Sequence, residues 1–438
     1  MPAPFATCDD AQPMRRGLLG VELAPVPAAG AHSAASGRGA LILRVLPGTP
    51  AAAADLKPGD IITRIDDNGI ASINDFHRRM RLHAPGDEVL LDFRRDGHSF
   101  SKKLTLAERP REVGRGYEVF SDSIRVEDLR LRTFITRPLE PGRHPAILLI
   151  PPPLPKSLEF PPSAADHPLK RAIDDLTRAG IVTMRVDRVG VGDSDGDDPS
   201  LTRPRTDVAA CRTAIRALAA LPEVDPGGIF LFANGAGSAL APLAAEGEAV
   251  RGIAVYGATI ARPLPVSISE QFRRRWQLQR VAPPEIERRS SLLQKYLHAV
   301  DREGALPADV LRQQPELRAA LAGVVQPDEV AWGLPPAYFR ELIAIDFDRA
   351  WSGLNVPVLA MWGEADWQAA RADAEFIVNA VNRSHAGRAA FRALSGVDHA
   401  LCRAKSPDDS YMSNHSAGEY HPVVVEELVY WIRSQTAR

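Results

Sequence analysis

Cysteine is scarce in this chain. There are three in 438 residues, Cys8, Cys211 and Cys402, too few and too scattered for a disulfide framework or a zinc site. Long apolar runs are missing too. The longest is about AILLI, far short of the roughly 20 residues of a membrane helix, so no membrane span is expected. The first residues, MPAPFATCDDAQPMRRG, have no extended apolar core and no cleavage pattern, so no signal peptide is read and a cytoplasmic location is expected. Neither sign of charge is in excess: 53 Lys and Arg face 55 Asp and Glu, a formal net charge of −2. That balance gives no general pull toward nucleic acid. The clusters Arg15-Arg16, Arg78-Arg79-x-Arg81 and Arg273-Arg274-Arg275 read as solvated faces. No nucleotide, metal or organic cofactor signature is present, so none is expected.

The length allows two or three domains. The first stretch alternates short strands with Gly/Pro turns: GLLGVEL, ALILRVL, then LKPGDIITRI. Residues 72–83 (SINDFHRRMRLH) have the pattern of an amphipathic helix with a serine start and a Pro85-Gly86 stop. A hairpin is expected at Asp96-Gly97, a preferred two-residue turn. Leu18-Leu19-Gly20-Val21, the LKPGDII turn and the helix at Ser72 make residues 15–107 resemble a bacterial PDZ domain. That resemblance implies a nest of backbone N–H groups at Leu18, Leu19, Gly20 and Val21 that takes a peptide C-terminus. The same module also serves as a packing or dimerisation unit in fused proteins.

Residues 108–125 (ERPREVGRGYEVFSDSIR) are charged and turn-rich and read as a linker. From 126 to 436 the pattern changes. Apolar strands such as AILLIPP, IVTMRVD, GIFLFAN, GIAVYGA and VPVLAMWG alternate with helices of about twelve residues. This predicts an α/β domain with a mostly parallel sheet and helices on both faces. The interval from about 262 to 351 breaks the rhythm. It is helix-rich and holds Trp276, Tyr296, Trp332, Tyr338 and Phe339, expected mainly as the core of a lid.

IFLFANGAGSALAPLAA (229–245) has the outline of a nucleophile elbow, the strand-to-helix corner that carries the serine of an α/β-hydrolase. The corner reads Ala233-Asn234-Gly235-Ala236-Gly237, with Gly235 where the hydroxyl belongs. An acid loop, VPVLAMWGEADW, offers Asp366. A histidine loop, RALSGVDHALCR, offers His399. In that order, after a lid, a carboxylate fixes the imidazole tautomer and the imidazole acts as a base. Together with MRVDRVGVGDSDGD and VRGIAVYGA, these segments make residues 120–436 similar to bacterial PDZ-coupled α/β-hydrolases, relatives of the serine esterases and acyl-aminopeptidases. Members of that group carry Gly-His-Ser-Met-Gly-Gly at the elbow, and this chain, with Ala233-Asn234-Gly235-Ala236-Gly237-Ser238, departs from it at five of six positions.

The loop facing the elbow departs as well. It reads Pro151-Pro152-Pro153-Leu154-Pro155, and proline has no N–H to offer an oxyanion. Asn234, Ala236, Pro152 and Pro153 are expected to line the binding site. Three side chains are candidates for a substitute nucleophile. Ser194, in the Gly192–Gly196 turn, is expected to bond locally. Ser238 is about a helical turn beyond the elbow and is a weak substitute. Cys402 is expected to pack the histidine loop. The sequence leaves two readings open. In one, the chain acts on an acyl or ester-like small molecule through His399 and Asp366 without a serine. In the other, it is an inactive scaffold that binds ligands or peptides.

Overall fold

The computed structural model describes residues 14–26, 37–196, 198–321, 330, 334–413 and 418–436; Cys8 and Trp332 lie outside them. Contacts divide these residues into two units, one of 14–111 with 189–198 and one of 112–188 with 199–436.

In the first unit the strands are β1 (Gly17–Leu18), β2 (Val21–Pro25), β3 (Ala40–Val45), β4 (Ile61–Ile65), β5 (Asn68–Gly69), β6 (Glu88–Arg95), β7 (His98–Thr105) and β8 (Ala107–Glu108). The helices are α1 (Pro50–Ala53) and α2 (Ile73–Met80). The main sheet runs β2-β3-β4-β6-β7 with β5 beside β4, and β1 pairs with β8. Ser72 caps α2 by accepting the Asp75 N–H at 3.1 Å, which ties up a donor the first turn leaves free. Phe76 and Met80 of α2 pack with Leu19, Ile42, Leu91 and Phe93 in the core. The LKPGDII turn is fixed by charge: the fully buried Asp60 accepts two bonds of 2.7 Å from Arg95 and one of 2.8 Å from the Lys57 N–H. Asp193, in the 189–198 segment, accepts from the Arg15 guanidinium at 2.8 Å and the Arg16 N–H at 3.0 Å. Arg15 is thus an ion-pair partner, not part of a solvated face.

The second unit adds β9 (Glu118–Val126), β10 (Leu129–Arg137), β11 (His144–Ile150), β12 (Val182–Val186), β13 (Val224–Asn234), β14 (Gly252–Tyr256), β15 (Val358–Gly363) and β16 (Ala389–Leu394). In the order β16-β15-β14-β13-β11-β12-β10-β9, neighbours from β16 to β12 are parallel, and β10 alone runs antiparallel, to β12 on one side and β9 on the other. This crossover between β11 and β12 is the strand order of the α/β-hydrolase fold. Its main helices are α3 (Pro168–Arg178), α4 (Pro204–Ala220) and α5 (Ala241–Ala245). Between β14 and β15 come α6 (Leu264–Leu278), α7 (Pro283–Arg302), α8 (Pro307–Gln313), α9 (Pro315–Ala320), α10 (Pro336–Ile343) and α11 (Phe347–Ser352). After β15 come α12 (Arg371–Ser384), α13 (Pro407–Met412) and α14 (Val423–Thr436). One sheet face buries Leu149, Phe232, Tyr256 and Met361 under α3 and α14. The alternate residues Leu148, Leu231, Val255 and Ala360 are buried as well, so both faces are covered, as a parallel sheet requires.

The expected linker is corrected. Residues 118–126 are β9, paired along its length with β10. The residues just before it are anchored rather than loose. Glu112 accepts from Arg185 at 2.8 and 3.2 Å and from the Phe160 N–H at 3.1 Å, and the Tyr117 hydroxyl donates to Asp174. Charge that reads as solvent-facing in the sequence is paired inside the fold.

Candidate active site

The end of β13 delivers the corner. Asn234 is extended, and Gly235 follows with φ of +58°, a left-handed conformation that a side chain rarely adopts. The chain then makes a short 3-10 turn, Gly235–Ala239, before α5. Two glycines in the turn and Pro242 in α5, which cannot donate to the preceding turn, keep this segment from forming one long helix.

His399 and Asp366 reach the corner from the loops after β16 and β15. His399 Nδ1 and Asp366 Oδ2 are 2.8 Å apart. The other carboxylate oxygen accepts the N–H groups of Gln368 and Ala369, each at 2.8 Å. The acid is therefore held from both sides. Burial disfavours charge on His399, but the Asp366 charge and hydrogen bond, helped by Asp398, outweigh it and raise its pKa above the ordinary value near 6.5; Arg274 opposes the rise. With Nδ1 turned to the acid, Nε2 faces Gly235: a β-carbon at that residue would lie 2.9 Å from Nε2.

Several supports of the pair have no motif that marks them. A β-carbon on Gly257, also at positive φ, would lie 2.9 Å from Asp366 Oδ2 and 3.0 Å from His399 Nδ1. Only a glycine lets the pair close over it. Asp398 organises the histidine loop: it accepts the Ala400 and Cys402 N–H groups at 3.0 and 2.9 Å and the Ser410 hydroxyl at 2.9 Å. The Tyr256 hydroxyl donates to the Asp398 carbonyl. Arg274, expected on a solvated face, instead donates to the carbonyls of Ala369 (2.6 Å) and Gln368 (3.3 Å). These are the residues whose N–H groups hold Asp366. The fully buried Tyr256 of β14 and the two carbonyl contacts of Arg274 leave the acid and histidine loops little freedom.

A cavity of about 550 Å³ opens on this corner, lined by Asn234, Gly235, Ala236, Thr259 and His399. Pro152 and Pro153 form part of its wall, as do Lys156 and His167, which no sequence motif singles out. His167 Nδ1 caps α3 by accepting the Leu169 N–H at 3.2 Å. Burial, with Lys156 nearby, lowers its pKa to about 4. Among the described residues, Gln271 and Leu334 are the insertion's contribution to the lining. Its aromatics Trp276, Tyr296, Tyr338 and Phe339 are instead at most 1% exposed and do not line the cavity, and the Tyr338 hydroxyl donates to Asp207 of α4 at 2.7 Å.

The substitute nucleophiles do not reach this cavity. Ser238 is fully buried, with its hydroxyl 2.7 Å from the Gly235 carbonyl and 3.1 Å from that of Ile260. Ser194 is buried in the other unit. Cys402 packs against Gly418, and burial, then Asp398, pushes its thiol up to about 11. A thiol that stays protonated near neutrality is a poor nucleophile. Among the described residues no cluster of His, Cys, Asp and Glu has the makings of a metal site.

Residues 17–106 match the PDZ domain family model. The N-terminal unit is a PDZ domain. The chain is 36% identical over 95 residues to a probable periplasmic serine protease do/HhoA-like of Haemophilus influenzae, a match covering 21% of this chain and 20% of that protein. The periplasmic pH-dependent serine endoprotease DegQ of Escherichia coli is 35% identical over 95 residues, 21% of each chain. The chain thus spans about a fifth of the length of these relatives. Solved structures similar to the chain include the following three. DcsB in complex with its substrate analogue is 17% identical, covers 74% of this chain and 100% of its own, and has a TM-score of 0.45. The α/β hydrolase GrgF from Penicillium sp. has 16% identity, 73% and 100% coverage and a TM-score of 0.44. The carboxylesterase EstE1 from a metagenomic library has 16%, 75% and 91%, and 0.42. The fold itself is established by strand order.

Proposed function

We propose that this protein acts on an acyl or ester-like small molecule, with the His399–Asp366 pair as general base and no serine nucleophile. The observation that carries this reading is the free approach to His399. Its Nε2 borders a cavity of about 550 Å³ at Gly235, which has no side chain to intervene, and Trp276, Tyr296, Tyr338 and Phe339 of the insertion are not among the residues that line it.

In a hydrolysis, Nε2 takes a proton from a water whose oxygen adds to the substrate carbonyl. Asp366 stays ionised and stabilises the imidazolium. The imidazolium then returns the proton to the departing alkoxide as its bond to the acyl carbon breaks. Such base catalysis is worth about 10²–10⁴-fold. The Ala236 N–H, at the start of the 3-10 turn, remains for the oxyanion. Pro152 and Pro153 contribute none, and each missing donor costs on the order of 3 kcal/mol. Slow turnover is expected for that reason. The helical insertion acts in this reading as a lid over the cavity.

The test is a panel of p-nitrophenyl esters from acetate to octanoate, with wild type and His399→Ala. Loss of about 10²–10⁴-fold in the variant supports the reading. Absence of turnover across the panel, or turnover indifferent to His399, favours the second reading, an inactive binding scaffold. The proline loop is the feature that speaks for that alternative.

For the PDZ domain we infer binding of a peptide C-terminus at Leu18–Val21. Strand β2 is a sheet edge with α2 packed near it, which suits strand addition. Fluorescence polarisation with C-terminally free and amidated peptides tests this, the amidated forms being expected to bind weakly.

A further inference from the structure

The cavity beside His399 carries a second signal in the sign of its charges. Its titratable lining consists of Lys156, His167 and His399, and no carboxylate among the described residues borders it. Elsewhere in the chain cations are routinely matched, as Arg185 is by Glu112 and Arg188 by Asp207. Lys156 differs. It is exposed, it is one of the residues that line the cavity, and no acidic side chain among the described residues pairs with it. His167 adds a neutral donor, because its Nδ1 is spent on the Leu169 N–H and the ring proton therefore sits on Nε2. The rest of the wall is apolar: Leu149, Ile150, Leu158, Phe232 and Leu401.

We propose that the cavity recognises an amphiphilic acyl compound that carries a carboxylate, with the anion paired to Lys156 and the hydrocarbon part along the apolar wall toward His399. A monoanion fits better than a phosphate. Phosphate sites use forked arginines or several N–H donors, whereas here one lysine point charge and one imidazole donor are on offer. The inference deepens the reading of His399 as a base, and rests on it for the chemical step alone, since binding needs only Lys156 and the apolar wall.

Isothermal titration calorimetry on the full chain with octanoate and octanamide tests it. These probes share a chain and differ in charge. Octanoate should bind about 5- to 10-fold more tightly, and the preference should shrink as salt is raised. Lys156→Met should erase the preference while octanamide binding stays unchanged, and Lys156→Arg should keep it. Lys156 is exposed, so these variants should fold. Equal binding of the two probes, binding of neither, or a preference that survives Lys156→Met would overturn the proposal. The two readings fail separately. Ester turnover that needs His399 without any carboxylate preference sinks this inference alone. A Lys156-dependent preference without His399-dependent turnover sinks the catalytic reading alone.

Discussion

His399 Nε2 stands 2.9 Å from the point where a β-carbon on Gly235 would be. That distance is shorter than a relaxed carbon–nitrogen contact, so the imidazole occupies space a serine would need. Gly235→Ser therefore should not simply recreate a serine esterase. The imidazole would have to retreat, the new side chain would sit at φ of +58°, and the proline loop would still lack donors. We expect at most weak activity on p-nitrophenyl acetate. Wild type should resist labelling by a fluorophosphonate probe, and stoichiometric labelling at Ser238 or Ser194 would refute this view of the corner.

Gly257→Ala should separate the acid from the base. The added carbon would press on both Asp366 Oδ2 and His399 Nδ1 at about 3 Å, at a left-handed backbone position. We expect a destabilisation of about 1–3 kcal/mol, read by urea denaturation. Whatever turnover wild type has should fall with it. An unchanged stability and an intact Nδ1–H signal in NMR would contradict the geometry.

The raised pKa of His399 sets a pH dependence with a definite sign. A base must be unprotonated, so turnover should rise with pH along a limb whose midpoint lies above 6.5. Asp366→Asn leaves burial to act without its main opponent and should move that midpoint down. For stability the sign is reversed. The folded state holds the imidazole proton more tightly than the unfolded chain, so this contribution is whole below about pH 6.5 and is lost as pH climbs through the folded pKa. His399→Gln should accordingly cost more stability near the low end of that window than well above it, in melts at mildly acidic and alkaline pH.

Arg274 is expected to act as a positioning residue through Gln368 and Ala369. Arg274→Met keeps the hydrocarbon stem but releases both carbonyls. We expect kcat to fall about tenfold with KM nearly unchanged, and the His399 pKa to rise, since a cation that opposes its protonation is gone. Arg274→Lys should recover part of both. A variant with altered melting temperature but an unmoved pH profile would reduce Arg274 to a structural role.

His167 should shape the acid limb of stability. Its pKa of about 4 means that the folded chain resists a proton that the unfolded chain accepts near 6.5. Stability should decline between those two values as pH falls. His167→Asn, which retains a capping acceptor, should flatten that decline in thermal melts taken at the two ends of the window.

Continuous apolar runs made β11, β13, β14 and β15 readable from the sequence, because these strands are buried on both faces and carry no polar alternation to obscure them. β9 was not readable. Its sequence, EVFSDSIRV, belongs to an edge strand and is mostly half exposed, so its composition matches a linker. Glu112 and Arg274 were hidden for a related reason: composition cannot tell a charge in water from one paired with Arg185 or with a loop carbonyl. The order of the acid and histidine loops pointed to Asp366 and His399, whereas Gly257 needed three dimensions, since only the crossing of three strand ends brings it under their hydrogen bond. His167 left one faint mark, a histidine directly before a proline that opens a helix.

The proline loop has a consequence apart from the donors it withholds. Pro151, Pro152, Pro153 and Pro155 fix their φ angles in the unfolded chain as well as the folded one. That side of the cavity therefore keeps its contour when empty, and a ligand settling against it has little backbone freedom to freeze out. Association there should depend on matching a surface already in place, with a small entropic penalty and little need for the wall to adapt.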